Sequence, residues 1–509
     1  MSVLAIDAGT TGVTALIVTA DGTLAGRGYK EFRQYFPEPG WVEHLPEGIW
    51  QAALAACRQA LAAGADAPPV SCIGITNQRE TAVVWDRATL AAPRRAIVWQ
   101  DRRTAGECDR LREQGVEERV AALTGLRLDP YFTATKLSWL ARGDPPTWAG
   151  IMDGSIAVGT VDSYLIARLT GGHRHVTDAS NASRTLLLDI ETGQWSAELC
   201  ELFGVPPHAL PEVVPSSAVI GYTDPDAFLG LSLPVAGAAG DQQAALFGQA
   251  CFAPGAVKCT YGTGSFVLSN TGTTIRRSQA GLLSTVAWMD SSRTLTYALE
   301  GSVFVTGAAI QWLRDGLGLL DNAAQSEALA RSVPDSGGVF FVPALTGLGA
   351  PDWDPSARGA IFGLTRGSTR AHLVRAALEA IAFEVRDVTD VLVAESARHT
   401  AGAHAAGGAA GAAGAATAAL RVDGGASTND LLMQLQADQL QMAVERPAVA
   451  ETTALGAAFL AGLAVGEWSS QAELAATWRL DRRFTPDTRD DARYARWREA
   501  VGRTKGWAR

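Results

Sequence analysis

The sequence has few cysteines, and their spacing has no recognisable pattern. No CxxC pair and no repeated interval of metal-ligand type connects the six of them: Cys57, Cys72, Cys108, Cys200, Cys251 and Cys259. This excludes a disulfide framework and a zinc-finger type of metal site, and it fits reduced thiols. We therefore expect a cytoplasmic protein.

Long apolar runs and an excess of positive charge are also missing. No uninterrupted apolar run is long enough to cross a bilayer, and the first apolar strand starts at Val3 with no charged segment before it. The formal net charge is -10, which disfavours nucleic acid and anionic membranes as partners. We expect a soluble protein with no nucleic-acid partner and no membrane insertion, in which local groups hold any anionic ligand.

What is present is a globular composition in a long chain. The 509 residues, 47% hydrophobic and 19% charged, exceed what one core accommodates and predict two domains of similar size, 1–250 and 251–509. Residues 399–419, HTAGAHAAGGAAGAAGAATAA, are of low complexity. Their repeated glycines oppose a helix, so we expect a mobile surface linker with solvated histidines at His399 and His404.

The opening segment VLAIDAGTTGVTALIVT predicts a β-hairpin with an unusual turn. Residues 3–6 and 13–18 are strand-like, and glycine and threonine lie between them. A Walker loop needs a lysine and a following helix, and a Rossmann fingerprint needs a helix at its glycines, so both are excluded. The turn either presents N–H groups and threonine hydroxyls to an anion, or it is an ordinary glycine-rich hairpin.

A second segment of the same kind, GAVKCTYGTGSFVLSNTG, occupies residues 255–272. Two such hairpins half a chain apart predict two related halves, each built on a sheet, with a ligand between them. Chance similarity of two hairpins is the alternative.

Polar segments follow two predicted strands of the first half. After a helix at 47–63, strands at 71–76 and 96–100 run into TNQRET and WQDRRT, and such strand ends line pockets in open α/β sheets. In the second half the pattern predicts a strand at 420–422 and helices at 301–316, 369–393, 431–441 and 454–463.

Nine segments in order carry a resemblance to a known family. They are DAGTT, GITNQRET, VWQDRRT, DPYFTATK, GAAGDQQAALFG, YGTGSF, GAAIQWLRD, TGLGAPDWDPSARGAIFGLTRG and RVDGGASTN. With them the chain resembles the FGGY carbohydrate kinases of the actin-like ATPase superfamily, and among these the members that act on glycerol. The resemblance runs from residue 3 to about residue 500 and leaves out only the low-complexity stretch.

The resemblance implies a fold and an activity. The expected fold is α/β, with two actin-like ATPase (ribonuclease H-like) domains and an active-site cleft between them. The expected reaction is ATP- and Mg²⁺-dependent phosphorylation of glycerol to sn-glycerol 3-phosphate, in a homo-oligomer (dimer or tetramer). The alternatives are an FGGY kinase for another polyol or ketose, such as erythritol or xylulose, and a nucleotide-gated binding protein without transfer chemistry.

At the alcohol end, Asp241 matches the catalytic base of the family, although its position also suits a helix N-cap. Arg79 and Glu80 resemble a polyol clamp, since a guanidinium donates to two oxygens in a fixed fork and a carboxylate accepts from a hydroxyl. A surface ion pair is the alternative for these two. Gln242 adds one further hydrogen bond.

Three aromatic residues complete the expected alcohol site. Trp99 and Phe266 resemble walls that pack on a three-carbon backbone, and Tyr131 resembles a phenol that adds a hydrogen bond. Each of them could equally be a core residue. A snug pocket of this kind would exclude a longer polyol.

At the nucleotide end, the resemblance assigns three threonines to the phosphates, namely Thr10, Thr11 and Thr263. The positions that match those bordering the adenosine and the α-phosphate are Gly307, Gln311, Gly425 and Asn429. Asp7, together with Asp241, resembles the Mg²⁺ site, with Asp7 holding the ion through water.

The chain departs from well-known members of the family at three places. Gly12, Val13 and Thr14 stand where a serine and an arginine usually follow the first turn, which puts phosphate affinity in doubt. TDPDAFLGLS at 223–232 replaces the loop that binds fructose bisphosphate, and it holds no histidine. We therefore expect neither fructose bisphosphate inhibition nor phosphorelay activation.

Overall fold

A six-stranded mixed sheet forms the centre of the first half in this computed structural model, which describes residues 1–405 and 419–508. Its strands run across the sheet in the order β5-β6-β4-β1-β2-β3, where the labels denote β1 (Ser2–Ala8), β2 (Gly12–Thr19), β3 (Leu24–Glu31), β4 (Val70–Asn77), β5 (Ser217–Tyr222) and β6 (Pro234–Gly240). β1, β2 and β3 form an antiparallel meander, whereas β4 and β6 run parallel to β1.

A seven-stranded sheet in the second half repeats this arrangement. Its order is β9-β10-β8-β7-β11-β12-β13, with β7 (Val257–Tyr261), β8 (Ser265–Gly272), β9 (Leu283–Met289), β10 (Leu295–Val303), β11 (Ala419–Asp423), β12 (Ala443–Pro447) and β13 (Leu480–Phe484). Again three antiparallel strands, β7, β8 and β10, adjoin two parallel strands, β11 and β12, although here β10 and not β9 pairs with β8. Both predicted hairpins, β1-β2 and β7-β8, are present.

Helices cover the sheets, and five further small strand groups lie outside them. The helices in chain order are α1 (Pro46–Ala63), α2 (Ala105–Glu113), α3 (Glu117–Thr124), α4 (Thr133–Gly143), α5 (Pro145–Asp153), α6 (Val161–Leu169), α7 (Ala179–Ala182), α8 (Ala197–Phe203), α9 (Asp241–Gly248), α10 (Gly307–Asp315), α11 (Gln325–Arg331), α12 (Arg370–Ala405), α13 (Asp430–Leu440), α14 (Thr452–Val465), α15 (Gln471–Thr477) and α16 (Asp491–Thr504). The small groups are formed by Gln34–Tyr35, Glu43–His44 and Ala96–Ile97, and by the pairs Val83–Asp86 with Ile156–Gly159, Val176–Asp178 with Glu212–Val214, Leu188–Asp189 with Gln194–Trp195 and Phe340–Val342 with Ala360–Phe362.

Helix α14 belongs to the second half but packs on the sheet of the first half. A Cβ added to Gly74 of β4 would lie 2.1 Å from the Ala457 carbonyl oxygen, so only glycine allows this close approach. Residues of both halves, among them Val3, Ala458 and Trp468, share one apolar cluster. The two sheets are therefore joined by a common core and by the chain between β6 and β7.

Three predictions of local structure are wrong. The predicted helix 301–316 begins only at Gly307, because residues 301–303 continue strand β10 and pair with β8. The predicted strand 96–100 is only Ala96–Ile97, since the chain turns at Val98, whose carbonyl accepts from the Asp101 N–H. Of the predicted linker 399–419, residues 399–405 continue helix α12, because alanine favours a helix more than one glycine opposes it.

The other predicted strands and helices agree with the structure to within two residues at each end, except that the predicted helix 369–393 extends to Ala405 as α12. Residues 406–418 of the predicted linker, and the side chains of His399 and His404, lie outside the described residues. All six cysteines are buried free thiols. Within residues 1–405 and 419–508, no helix combines the length and apolar character needed to cross a membrane.

Candidate active site

A small cavity of about 140 Å³ lies where the two hairpins meet. Nine of the residues predicted for the site line it: Thr10, Arg79, Glu80, Trp99, Tyr131, Asp241, Gln242, Thr263 and Phe266. Thr260, Gly262 and Gly264 of the second hairpin complete the lining. The cavity therefore takes its walls from both halves of the chain.

Three parallel strands of the first sheet end together at this cavity. Ala8 of β1 lies opposite Asn77 of β4, and Asn77 lies opposite Gly240 of β6. The residues that follow these strand ends are the first turn, the Arg79 and Glu80 pair, and Asp241. Strand register therefore brings together three segments that are far apart in the sequence.

Arg79 is buried and surrounded by hydrogen-bond acceptors. Its Nη1 donates to Glu300 Oε2 (2.5 Å) and Gln243 Oε1 (3.2 Å), and its Nη2 donates to Glu300 Oε1 (3.1 Å) and the Tyr131 hydroxyl (3.3 Å). Its Nε lies 3.1 Å from Asp241 Oδ1. The guanidinium is therefore held rigidly in one orientation.

Glu80 is equally buried, so this pair is not a surface ion pair. Its backbone has a φ of 61°, a conformation that side chains other than glycine rarely adopt. Arg184 Nε donates to Glu80 Oε1 at 2.7 Å. Burial raises the pKa of Glu80, while Arg79 and Arg184 act in the opposite direction. A strained, buried carboxylate at a cavity wall is a pattern typical of functional sites.

Asp241 is the first residue of helix α9, and Gly240, not Asp241, occupies the N-cap position. The side chain remains partly open to the cavity, with 27% exposure. Burial raises the pKa of Asp241, whereas Arg79 and Lys258 lower it. A carboxylate with a raised pKa is a better proton acceptor than a free one.

The aromatic residues form a continuous wall. Trp99 stands edge-on to Tyr131 at 5.7 Å and to Phe266 at 6.5 Å between ring centroids. Trp99 Nε1 donates to Thr10 Oγ1 at 3.0 Å, which connects this wall to the turn of the first hairpin. The Arg79 guanidinium lies 5.6 Å from the Phe266 ring centroid. The wall thus combines residues of both halves.

Of the seven residues predicted for the nucleotide, Thr10 and Thr263 line the cavity and the other five do not. The Gly307 N–H donates to the Gly262 carbonyl at 3.0 Å, so the start of α10 is docked on the second hairpin. Gln311 and Thr11 are exposed, and neither lines the cavity. Gly425 has open space where a Cβ would be. Asn429 caps α13, its Oδ1 accepting from the Leu432 N–H at 2.9 Å.

Asp7 is half-buried near Asp241 and offers a possible magnesium ligand. Burial and the neighbouring Asp241 charge raise the pKa of Asp7 to about 7. Mg²⁺ prefers such oxygen ligands and keeps several waters. Among residues 1–405 and 419–508 no group of three or more metal-ligating side chains occurs.

The structure adds four polar residues that the sequence reasoning missed. Glu300 and Arg184 pair with the clamp, Gln243 accepts from Arg79, and Lys258 Nζ donates to Gln242 Oε1 at 2.5 Å. A signal for Glu300 exists in the sequence, because a charged residue inside the apolar strand segment LTYALEGSV must have a partner when buried. The identity of that partner is set only by the fold.

Comparison with known proteins identifies the family. The N-terminal domain of the FGGY family of carbohydrate kinases matches residues 2–248, and its C-terminal domain matches residues 257–465. The chain therefore belongs to the FGGY family of carbohydrate kinases.

Curated relatives and solved structures refine this placement. The chain is 51% identical to glycerol kinase 2 of Thermotoga maritima and 53% identical to the glycerol kinase of Trichlorobacter lovleyi, covering 99% of this chain and of each relative. A crystal structure of Plasmodium falciparum glycerol kinase with ADP matches with a TM-score of 0.86 and 34% identity, covering 99% of this chain and 98% of that one. The xylulose kinase of Rhodospirillum rubrum is more distant, with a TM-score of 0.79 and 27% identity over 99% of this chain and 98% of that one.

Proposed function

We propose that the protein transfers the γ-phosphoryl group of ATP to a terminal hydroxyl of glycerol, forming sn-glycerol 3-phosphate and ADP. The observation that carries the proposal is the single cavity in which Arg79, Glu80 and Asp241 face the turns of both hairpins. The full-length relatives at 51% and 53% identity, both named glycerol kinases, support the choice of alcohol.

The proposed chemistry follows from the charges around the cavity. Arg79 and Glu80 hold the alcohol by donating to one hydroxyl oxygen and accepting from another hydroxyl. The terminal hydroxyl oxygen attacks the γ-phosphorus, the bond to the bridging oxygen of ADP breaks, and Asp241 accepts the hydroxyl proton. Because such transition states are loose, alignment of the alcohol contributes more than the strength of the base.

The two hairpins are proposed to hold the phosphates. Thr10 and Thr263 lie at the cavity and offer hydroxyls and backbone N–H groups to phosphate oxygens. Thr11, Gly307, Gln311, Gly425 and Asn429 are proposed to border the rest of the nucleotide. Magnesium, held by Asp7 and Asp241 through water, would neutralise phosphate charge when bound.

The lining of the cavity supports a short alcohol. An aromatic wall lies on one side of the cavity and charged groups lie on the other, which suits a small polar alcohol with a short carbon chain. Every hydroxyl must find a partner inside, so a longer polyol would either clash or lose hydrogen bonds.

We also propose that the two domains divide near residue 250, between β6 and β7.

A substrate panel tests the proposal. The purified protein is incubated with ATP and Mg²⁺ and with glycerol, erythritol or xylulose, and ADP formation is followed. We expect glycerol to have the highest kcat/KM. Faster turnover of erythritol or xylulose would favour another FGGY activity, and no ADP above background with any alcohol would favour a binding protein without transfer.

A further inference from the structure

A buried ion-pair network joins the two halves of the chain directly behind the cavity. Glu300, on strand β10 of the second half, accepts from Arg79 at 2.5 and 3.1 Å and from Arg184 at 3.0 Å. The three side chains are at most 2% exposed. Arg79 and Arg184 both belong to the first half, so this network is a charged contact between the halves.

The acceptors around Arg79 divide into two groups. Tyr131 and Asp241 line the cavity, whereas Glu300 and Gln243 lie behind the guanidinium. An alcohol that enters the cavity can compete with Tyr131 and Asp241 for the Nη2 and Nε donors of Arg79. It cannot reach the bidentate contact with Glu300. The orientation of Arg79 in the occupied site therefore depends on Glu300.

We propose that Glu300 is a positioning residue for the alcohol. From the second half of the chain, Glu300 holds the Arg79 guanidinium in one orientation, in which the remaining N–H donors of Arg79 face the cavity. This inference rests on the proposed function. It assigns to Glu300 no contact with the alcohol, the nucleotide or the reacting atoms.

The electrostatics agree with this role. Burial alone would raise the pKa of Glu300, but Arg184 and Arg79 lower it to about 2. Glu300 therefore stays ionised at neutral pH. Without its charge, the two buried guanidinium groups would keep Glu80 and Asp241 as ion-pair partners among the described residues, and Arg79 Nη1 would lose its charged acceptor.

Strand pairing extends the effect to the second hairpin. β10 pairs with β8 so that Glu300 lies opposite Leu268, and Ser302 lies opposite the wall residue Phe266. Strand β10, which carries Glu300, is thus hydrogen-bonded to β8, the strand that follows the turn at Thr263. Through Glu300, the position of the alcohol clamp is tied to the half that carries the second hairpin, one of the two hairpins that we propose hold the phosphates.

The test uses Glu300→Gln with a matched control. Glu379 is also buried and also paired with two arginines, Arg375 at 2.8 Å and Arg493 at 2.9 Å, but neither of these arginines lines the cavity, whereas Arg79 does. Glu379→Gln therefore reproduces the loss of a buried carboxylate without touching Arg79. For both variants the experiment measures thermal unfolding, kcat, the KM values for glycerol and ATP, and glycerol binding by calorimetry.

We expect Glu300→Gln to lower kcat/KM for glycerol by about 30-fold, because removing one partner of a buried charge pair is costly, and to change the KM for ATP by less than about twofold. Glu379→Gln should lower the melting temperature without this selective loss. Glu300→Asp, which keeps the charge, should recover part of the glycerol affinity. Equal glycerol kinetics in the two Gln variants would overturn the inference, as would equal losses for glycerol and ATP.

Failure of the proposed function would look different. In that case the wild-type protein itself neither binds glycerol in the calorimeter nor turns it over. A wild-type protein that phosphorylates glycerol, together with a Glu300→Gln variant that behaves like Glu379→Gln, rejects only the role of Glu300.

Discussion

The alcohol end and the nucleotide end of the site are built differently. At the alcohol end, Arg79, Glu80 and Tyr131 are buried and already bonded to protein groups. At the nucleotide end, Thr11, Thr263 and Gln311 are exposed, and Gly425 faces open space. One end is assembled before any ligand arrives, and the other offers mainly backbone and short side chains at the surface.

This difference has a physical reason. A three-carbon alcohol offers little apolar area, so its recognition depends on polar groups that are fixed in advance. A nucleotide offers charge and a large surface, for which exposed N–H groups, hydroxyls and glycines that permit close approach are sufficient. The two ends should therefore respond differently to substitution.

The largest effect is expected at the point where the two ends meet. Asp241→Asn removes the proton acceptor while keeping the size of the side chain, and we expect kcat to fall about 10³-fold, within the range of general-base catalysis. Rapid-quench measurement of ADP formation checks this. The dissociation constants of glycerol and ATP should change by less than about tenfold, and an unchanged kcat would place the base elsewhere.

Two glycines sharpen the contrast at the nucleotide end. A Cβ at Gly307 would lie 2.6 Å from the Gly262 carbonyl oxygen, so Gly307→Ala should displace α10 from the hairpin and destabilise the protein by about 1 to 3 kcal/mol. The KM for ATP should rise about tenfold, as expected for about 1.4 kcal/mol of lost binding. Unfolding curves and ATP kinetics measure both effects.

Gly425→Ala serves as the matched partner, because a Cβ at Gly425 meets open space. We expect its melting temperature to equal that of the wild type while the KM for ATP rises. A Gly425→Ala variant with wild-type ATP kinetics would contradict the placement of the nucleotide at this residue.

A smaller effect is expected for the link between the aromatic wall and the first hairpin. Trp99→Phe keeps an aromatic wall but removes the hydrogen bond from Nε1 to Thr10, a contribution of about 1 kcal/mol. The kcat/KM for glycerol should fall about fivefold, in line with that energy. Steady-state kinetics measures it, and a kcat/KM for glycerol equal to that of the wild type would show that this hydrogen bond does not support the site.

The smallest effect on activity comes from a buried histidine, whose titration changes stability instead. His44 is fully buried and accepts from Gln78 Nε2 at 3.3 Å, and burial lowers the pKa of His44 to about 4. The folded pKa is below the unfolded value, so this contribution to stability is complete above about pH 6.5 and is lost as the pH falls toward 4. Melting temperatures between pH 7 and 4 should therefore decline.

Two variants check the assignment of this decline. His175 has a pKa that burial likewise lowers to about 4, so His44→Asn and His175→Asn should each flatten part of the pH dependence. If both variants keep the slope of the wild type, the buried histidines are not its origin.

The motifs that carry the family resemblance predicted nine residues that line the cavity. The sequence also predicted the two hairpins, because strand patterning is local. It failed at residues 301–303, where apolar spacing fits a helix but hydrogen bonds to β8 decide for a strand. It also missed Glu300, Arg184 and Gln243, since a buried partner 221 positions away from Arg79 leaves no local pattern. The assigned roles of the site residues remain predictions.

A crystal structure with glycerol and a non-hydrolysable ATP analogue tests the central claim most directly. We expect a terminal hydroxyl within hydrogen-bond distance of Asp241, facing the terminal phosphate between the turns that carry Thr10 and Thr263, with Arg79 still forked on Glu300. Glycerol bound outside this cavity, or an Asp241 side chain turned away from the hydroxyl, would contradict the account.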